Sequence, residues 1–162
     1  PQFFFFFYLL QHPRISGRLC EALVEKMNAT IAGLEVDSVI APAMGGITIG
    51  HDVAKALDKR FIFVEKENNA LALRRFQIKK GERFVVAEDV VTRGGRVQET
   101  IDIVRAHGGN VSAIGLLVNR SGGRADFGIP LVSLLDIDPI TYDPLDCPLC
   151  AEGIKLEHPG SR

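Results

Sequence analysis

The stretch FVVAEDVVTRGG, residues 84–95, predicts a buried strand that runs into a glycine-rich turn. Four apolar residues end in adjacent carboxylates, Glu88 and Asp89, and two valines, a threonine, an arginine and two glycines follow. Neighbouring carboxylates repel each other, so a metal, hydroxyl donors or a positive group must offset their charge. Glycines leave backbone N–H groups accessible, and a helix beginning near Gly95 adds partial positive charge, so the turn suits a phosphate.

An acid pair beside an anion cradle indicates a ligand that carries both a vicinal diol and a phosphate, such as a ribose 5-phosphate. Hydroxyls on adjacent sugar carbons can each donate a hydrogen bond to a carboxylate. The two commoner phosphate motifs, GxxxxGK[ST] and GxGxxG after a strand, are absent from the sequence. The alternative interpretation is an acidic turn before a helix, with Gly94 and Gly95 as a flexible link.

Short apolar strands and helices alternate along the rest of the chain. The predicted helices are Pro13–Met27, Gly45–Leu57 and one after Gly94, and the predicted strands are Val36–Ala41, Phe61–Lys66, Phe84–Ala87, Val111–Val118 and Pro130–Ile137, with an exposed hairpin over Ala70–Ile78. This alternation predicts an α/β fold with a central, mostly parallel sheet flanked by helices. Ligands of such sheets bind off the carboxyl ends of the strands, so the loops after Ala41, Val64, Ala87 and Val118 are the candidate site.

Charge and cysteine usage exclude several classes of protein. A formal net charge of −1 gives no global support for a nucleic-acid or membrane partner. The longest apolar stretch, Phe3–Leu10, is too short to span a bilayer and lacks the basic flank of a signal peptide, and we expect a core or hairpin strand there. The cysteines Cys20, Cys147 and Cys150 are too few for a disulfide framework, so we expect a cytoplasmic protein. Cys147 and Cys150 predict a structural turn, because a zinc site needs about four ligands and only His158 is nearby.

The pattern of residues 84–95 resembles the phosphoribosyl-pyrophosphate (PRPP) motif of type I phosphoribosyltransferases, and APAMGGI, residues 41–47, resembles their pyrophosphate-binding loop. The segments LLQHP, FVEKE, LRRF, VNRSGG, DFGIPLVSLL, YDPLDCPLC and PGSR are similar, in that order, to one bacterial and archaeal branch of orotate phosphoribosyltransferase. The resemblance implies a single domain over residues 1–162 with the type I phosphoribosyltransferase fold and a small hood or hairpin region. It also implies an amino-terminal hood segment that is incomplete here.

The activity implied by this resemblance is Mg²⁺-dependent transfer of the 5-phosphoribosyl group from PRPP to orotate. The products would be orotidine 5-phosphate and pyrophosphate, in pyrimidine biosynthesis, and the enzyme would be a cytoplasmic homodimer. Two alternatives stay open: a purine phosphoribosyltransferase and a non-catalytic regulatory protein that senses PRPP. Arg120 and the CPLC…PGSR tail favour orotate over a purine, whereas a mobile loop poor in cations favours the sensor.

The resemblance also implies roles for individual residues. Glu88 and Asp89 would hold the ribose hydroxyls and, with Lys66, form the catalytic set, while Mg²⁺ would be held mainly through PRPP, with Asp89 as the candidate protein ligand. Thr92 and Arg120 would bind orotate, since a guanidinium fork matches a planar carboxylate, and the alternative for Arg120 is a solvent-exposed arginine in a turn. The implied PRPP-binding residues are Ala43, Met44, Gly45, Gly46, Lys66, Glu88, Asp89, Val90, Val91, Thr92, Arg93, Gly94, Gly95 and Arg96.

Several positions depart from the family pattern. Gly45 stands where some relatives have a lysine, which leaves more of the charge neutralisation to Mg²⁺ and Lys66. The loop Glu67–Leu73 has no lysine or histidine to supply a catalytic cation. Arg74 and Arg75 belong either to a hairpin that closes over a site or to a solvated charged surface.

Overall fold

The computed structural model describes residues 7–68, 70–140, 142–143 and 145–154 of the 162-residue chain. Its helices are α1 (Phe7–Leu10), α2 (Pro13–Thr30), α3 (Gly45–Leu57), α4 (Gly95–Ala106) and α5 (Pro148–Ala151). Its strands are β1 (Ser38–Pro42), β2 (Arg60–Glu67), β3 (Ala70–Ala72), β4 (Arg83–Val91), β5 (Asn110–Asn119) and β6 (Leu131–Asp136). The three long helices and the five core strands predicted from periodicity are therefore present, with ends displaced by a few residues.

Within the described residues, the strands form one sheet in the order β3-β2-β1-β4-β5-β6. Strands β2, β1, β4, β5 and β6 run parallel to their neighbours, and the edge strand β3 is antiparallel to β2. The predicted α/β fold with a mostly parallel sheet is confirmed. The chain moves from β1 outward to β2 on one side and returns to β4 on the other, so strand order reverses beside β1. Ligands of such sheets bind at this point, off the carboxyl ends of the strands.

Apolar layers cover both faces of the sheet. Val39 and Val85 pack into the layer beneath α2 and α3, while their chain neighbours Ile40 and Val86 pack into the layer beneath α4. All four side chains are fully buried, and consecutive residues of a strand point to opposite faces. Burial on both faces explains why these strands are continuous apolar runs in the sequence. It also gives the loops at their carboxyl ends a rigid support.

The prediction of an amino-terminal strand is wrong for the residues that can be compared. Phe7–Leu10 form the helical turn α1, and residues 1–6, the rest of that predicted strand, lie outside the described residues. Leu10 is buried in the layer of α2 and α3. The His12 N–H donates to the Leu9 carbonyl at 3.1 Å, which is turn geometry rather than strand pairing. The segment therefore packs against α2 instead of extending the sheet.

The hairpin predicted over residues 70–78 is confirmed only at its beginning. Strand β3 ends at Ala72, and beyond it the chain has no further strand pairing with β2. Arg75 Nε instead lies 3.0 Å from Glu65 Oε1, so an ion pair connects this segment to β2. Asn69, which precedes this segment in the sequence, lies outside the described residues.

Strand β4 continues through Val91, beyond its predicted end at Ala87. The longer partner β5 makes this possible, because Glu88 pairs with Leu116 and Val91 pairs with Asn119. The acid pair therefore belongs to the strand and not to the turn. Pairing with β5 fixes the backbone of both acidic residues.

The carboxyl-terminal region is described only as far as residue 154, so the PGSR segment and His158 lie outside the described residues. Cys147 is buried and precedes the single turn of α5, and Cys150 is exposed within that turn. Among the residues that the structure describes, no helix is both long and apolar enough to cross a bilayer.

Candidate active site

A cleft of about 700 Å³ opens at the carboxyl ends of β1 and β4. One wall is the turn between β1 and α3, and the other is the continuous run from the end of β4 into the first turn of α4. The lining residues are Pro42, Ala43, Met44, Gly45, Glu88, Asp89, Val90, Val91, Thr92, Arg93, Gly94, Gly95, Arg96, Val97 and Glu99. All of the predicted PRPP-binding residues except Gly46 and Lys66 are among them. The structure thus brings the two predicted loops together in one cleft.

Glu88 and Asp89 both line this cleft, but their environments differ. Glu88 is only 8% exposed, and its Oε1 accepts a hydrogen bond from the Asp89 N–H at 3.1 Å. Burial, the charge of Asp89 and a hydrogen bond between the two carboxyl groups raise the pKa of Glu88 well above its ordinary value. Asp89 is partly exposed, and its Oδ1 accepts a hydrogen bond from the Val90 N–H at 2.8 Å. The raised pKa favours the protonated form of Glu88, which lessens the repulsion, and a ligand that donates hydrogen bonds would favour the charged form instead.

The turn between β1 and α3 lies directly against the acid pair. A Cβ atom on Gly45 would lie 3.3 Å from Asp89 Oδ2, and one on Gly46 would lie 3.0 Å from Glu88 Oε1. Both distances are tighter than ordinary contacts, so a side chain at either position would displace a carboxylate. Glycine at both positions allows the turn to approach the acid pair. Gly46 is buried beneath the cleft, which explains why it does not line it.

Ala43 and Met44 form the outer part of the same turn. The Ala43 N–H donates to the Val64 carbonyl at 2.7 Å, which ties the turn to the end of β2. The peptide bond between Ala43 and Met44 is cis, and the Met44 side chain is exposed at the cleft.

Gly94 is required where the cleft meets α4. Its φ of 78° lies in the left-handed region, and a Cβ atom there would fall 2.6 Å from Phe127 Cζ. The N-cap residue Gly94 has no side chain that could cap α4, so the first N–H groups of this helix are available to an anion. The glycine-rich turn has the backbone geometry that the sequence predicts for a phosphate cradle.

Three polar side chains of the cradle are exposed to solvent: those of Thr92, Arg93 and Arg96. Arg96 Nη1 donates a hydrogen bond to Glu99 Oε2 at 2.8 Å. Two guanidinium groups and a helix start therefore give one part of the cleft positive charge, while the acid pair gives the other part negative charge or hydrogen-bond acceptors. A ligand with an anionic end and a hydroxyl-bearing middle would match this distribution.

Two predicted site residues with long side chains lie outside the cleft lining. Lys66 is exposed on β2, among the residues that pair with β3. Arg120 follows β5 and is partly exposed, and its backbone N–H donates to the Val91 carbonyl at 2.7 Å. Arg120 is therefore connected to the end of β4 through its backbone.

Arg74 and Arg75 lie on the solvated edge of the sheet. Arg75 pairs with Glu65, and Arg74 Nε lies 3.4 Å from Glu67 Oε1. More than half of each arginine side chain is exposed, and neither residue lines the cleft. Their geometry matches the solvated-surface alternative for this pair.

A second, smaller cleft of about 290 Å³ lies at the carboxyl ends of β5 and β6. Asn119 Nδ2 donates to Asp136 Oδ1 at 3.0 Å, and Asn119 Oδ1 accepts from the Ser121 N–H at 3.0 Å. Its other lining residues are Gly122, Gly123, Ile137 and Asp138. This cleft is acidic, unlike the cradle. No group of three or more His, Cys, Asp or Glu side chains among the described residues could hold a metal ion, so a cation at the acid pair needs ligand oxygens as well.

Sequence-based prediction misses two residues that shape the cleft, Glu99 and Phe127. Glu99 had a usable signal, because positions three apart on a helix are neighbours and Glu99 follows Arg96 by that spacing. No signal in the sequence pointed to Phe127, because its ring contacts the Gly94 position from the loop after β5, which is far from Gly94 along the chain.

Comparison with known proteins gives a consistent family. A sequence profile described as “Phosphoribosyl transferase domain” matches residues 9–138. The chain is 46% identical over 155 residues to orotate phosphoribosyltransferase from Caldanaerobacter subterraneus subsp. tengcongensis, covering 95% of this chain and 80% of the relative. It is 47% identical over 139 residues to orotate phosphoribosyltransferase from Thermotoga maritima, covering 85% of this chain and 74% of the relative.

Solved structures show the same architecture. The crystal structure of orotate phosphoribosyltransferase from Aeropyrum pernix has a TM-score of 0.68 and 26% identity, covering 83% of this chain and 78% of that one. Adenine phosphoribosyltransferase from Thermoanaerobacter pseudethanolicus has a TM-score of 0.68 at 21% identity, covering 80% of this chain and 84% of that one. At that identity the second likeness shows the fold alone.

Proposed function

The chain belongs to the phosphoribosyltransferase family, within its orotate phosphoribosyltransferase branch, and from this membership we propose that it transfers the 5-phosphoribosyl group from PRPP to orotate. The products are orotidine 5-phosphate and pyrophosphate, in pyrimidine biosynthesis. One observation carries the proposal: Glu88 and Asp89 line the same cleft as the glycine-rich start of α4.

The proposed contacts to the sugar phosphate follow from the two kinds of group in the cleft. The ribose 2- and 3-hydroxyls donate to the carboxylates of Glu88 and Asp89, and the 5-phosphate accepts from the backbone and side chains of residues 92–96. The raised pKa of Glu88 then has a chemical meaning. Hydroxyl donors stabilise the charged form of a carboxyl group, so binding of the sugar favours release of a proton from Glu88.

The donor set fits Mg²⁺ held largely by the substrate. This ion is commonly bound through one or two carboxylates together with substrate phosphates and water. Asp89, partly exposed at the cleft, is the carboxylate that we propose as a direct ligand. When bound, the ion would stabilise the charge that grows on the departing pyrophosphate.

The proposed reaction is displacement at the anomeric carbon of the ribose. The bond to pyrophosphate breaks as a ring nitrogen of orotate forms the new bond. The acid pair and the cradle fix the sugar for in-line attack, and Lys66 and residues 43–46 receive the pyrophosphate. No covalent nucleophile is needed. The chain therefore contributes chiefly by positioning the substrates and by electrostatic stabilisation.

Orotate is favoured over a purine by the relatives and by Arg120. The chain is 46% identical over 155 residues to a relative that is named for orotate. Arg120 follows β5 and is tied by its backbone to Val91 at the edge of the cleft, and a guanidinium matches the orotate carboxylate. A purine base has no carboxylate for this group to bind.

We further propose that the chain forms a cytoplasmic homodimer. Leu145 is 94% exposed and Ile140 is 69% exposed, which favours burial of the carboxyl-terminal region against a second copy. Sedimentation should give twice the 17.7 kDa of one chain, and a monomer at micromolar concentration would disprove the dimer. Cell fractionation would test the location.

Release of pyrophosphate from PRPP, measured with and without orotate, tests the proposed function. We expect release that depends on orotate and on Mg²⁺ and that produces orotidine 5-phosphate. A parallel panel of adenine, hypoxanthine and guanine distinguishes a purine enzyme. Binding of PRPP without pyrophosphate release for any base would identify a sensor instead.

A further inference from the structure

Glu99 joins two parts of the candidate site. Its Oε1 accepts a hydrogen bond from the Leu71 N–H of β3 at 2.5 Å, and its Oε2 accepts one from Arg96 Nη1 at 2.8 Å. The same side chain lines the cleft. One carboxylate therefore connects the β2–β3 hairpin to the phosphate cradle at the start of α4.

A carboxylate beside a phosphate cradle repels the expected ligand, so its presence needs a physical reason. Strand β3 is the edge of the sheet, and an edge strand has N–H groups that no further strand can accept. Glu99 supplies the acceptor for one of them, and the Leu71 side chain is buried in the apolar layer of α4. The hairpin is thus attached to α4 by both polar and apolar contacts.

The attachment has a consequence for Lys66. Lys66 pairs with Leu71 across the antiparallel ladder, so the hydrogen bond from Leu71 to Glu99 also restrains the strand that carries the lysine. We propose that Glu99 is a positioning residue that holds the β2–β3 hairpin, and with it Lys66, at a set separation from the phosphate cradle. This inference rests on the proposed function, in which Lys66 and the cradle bind opposite ends of PRPP.

Two substitutions at position 99 separate the hydrogen bond from Leu71 to Glu99, here called the tether, from the negative charge of the Glu99 side chain. Glu99→Ala removes the acceptor for Leu71, whereas Glu99→Gln keeps an oxygen acceptor and removes only the negative charge. Glu99→Ala should raise the KM for PRPP about tenfold, the equivalent of about 1.4 kcal/mol for a lost hydrogen bond to a charged group. The KM for orotate should change by less than about twofold, and Glu99→Gln should recover most of the loss.

Asp102→Asn is the matched control. Asp102 lies one turn further along α4, is exposed, and accepts a hydrogen bond from Gln98 Nε2 at 2.9 Å without lining the cleft. Its KM for PRPP should equal that of the wild type. A Glu99→Ala protein with unchanged KM for PRPP, or with equal increases for both substrates, overturns the proposal. A Glu99→Gln protein as impaired as Glu99→Ala also overturns it, because the charge and not the acceptor would then matter.

Hydrogen exchange at the Leu71 amide tests the tether without any substrate. Glu99→Ala should accelerate exchange at this amide, while Glu99→Gln and Asp102→Asn should leave it close to the wild-type rate. Unchanged exchange in Glu99→Ala would overturn the tether even in an active enzyme. If the wild type releases no pyrophosphate with orotate, the proposed function fails, and the exchange rates still decide whether Glu99 holds the hairpin.

Discussion

The two sides of the candidate site are built in different ways. The sugar-phosphate side consists of consecutive residues on one strand, one turn and the first turn of one helix, and it lines a single cleft. The proposed base side depends on Arg120, which follows a different strand and lies outside that cleft, next to a smaller and acidic one. The first side relies on backbone amides and glycines, and the second relies on the reach of one long side chain.

This difference makes the sugar-phosphate side rigid and the base side adjustable. The cradle is fixed by β4, which is buried on both faces, and by Gly94, which only a glycine can fill without strain. The Arg120 side chain, by contrast, is partly exposed and contains several rotatable bonds. Substitutions on the sugar-phosphate side should therefore have larger effects than substitutions on the base side.

Asp89→Asn should have the largest effect. It removes the charge that we assign to Mg²⁺ and to a ribose hydroxyl but preserves the shape of the side chain. Turnover should fall about 100-fold or more, the range found when one preorganised electrostatic group is lost. Steady-state pyrophosphate release gives the rate, and a thermal unfolding midpoint close to that of the wild type serves as the control. Unchanged kinetics would show that the acid pair does not bind the sugar.

Gly94→Ala should cost about 3 kcal/mol of unfolding free energy, from a strained φ together with a clash against Phe127. PRPP binding should weaken with it, because the turn must shift. Gly81→Ala is the matched control, since Gly81 has the same φ of 78° but open space around its Cβ position. It should lose about 1 kcal/mol and bind PRPP normally. Equal losses in the two variants, measured by chemical denaturation, would show that Phe127 does not restrict position 94.

The predictable part of the molecule is the part encoded locally. Residues 84–95 carry strand, acid pair and cradle in one uninterrupted pattern, and helix and strand periodicity places them in a parallel sheet. The contact between Gly94 and Phe127 was not predictable, because it joins loops that only the folded sheet brings together. The end of strand β3 at Ala72 was not predictable either, because ion pairs of Arg74 and Arg75 replace strand pairing in the segment that follows.

Arg120→Ala tests the base side directly. We expect the KM for orotate to rise about tenfold, since a charge-assisted pair to the carboxylate is lost, and the KM for PRPP to change by less than about twofold. Arg124→Ala is the control, because this arginine lies in the same loop but is exposed and paired with Asp138. Equal increases in the KM values for orotate and PRPP in Arg120→Ala would show that Arg120 does not bind the base. The sugar-phosphate side and the base side would then not differ in the way proposed.

Glu88→Gln should change the unfolding free energy in a pH-dependent way, and the sign of that change distinguishes a buried acid from an ordinary one. Because the folded-state pKa of Glu88 is raised, the folded protein holds a proton that the unfolded chain loses above about pH 4.3. This contribution is fully present below that pH and is lost as pH rises through the raised pKa. Glutamine needs no proton and can still accept the hydrogen bond from the Asp89 N–H. The variant should therefore be more stable than the wild type at high pH and have no advantage near pH 4.

Glu82→Gln provides a control of opposite sign for that measurement. Burial opposes ionisation of Glu82, but hydrogen bonds from Ser38, the Lys79 amide and Arg60 outweigh it and lower the pKa of this carboxyl group. Its charge stabilises the fold at neutral pH, so Glu82→Gln should lose stability where Glu88→Gln gains it. Denaturation curves collected between pH 4 and pH 8 compare the two. If both variants lose stability at neutral pH, Glu88 is an ordinary stabilising carboxylate, and the raised pKa that we assign to it is wrong.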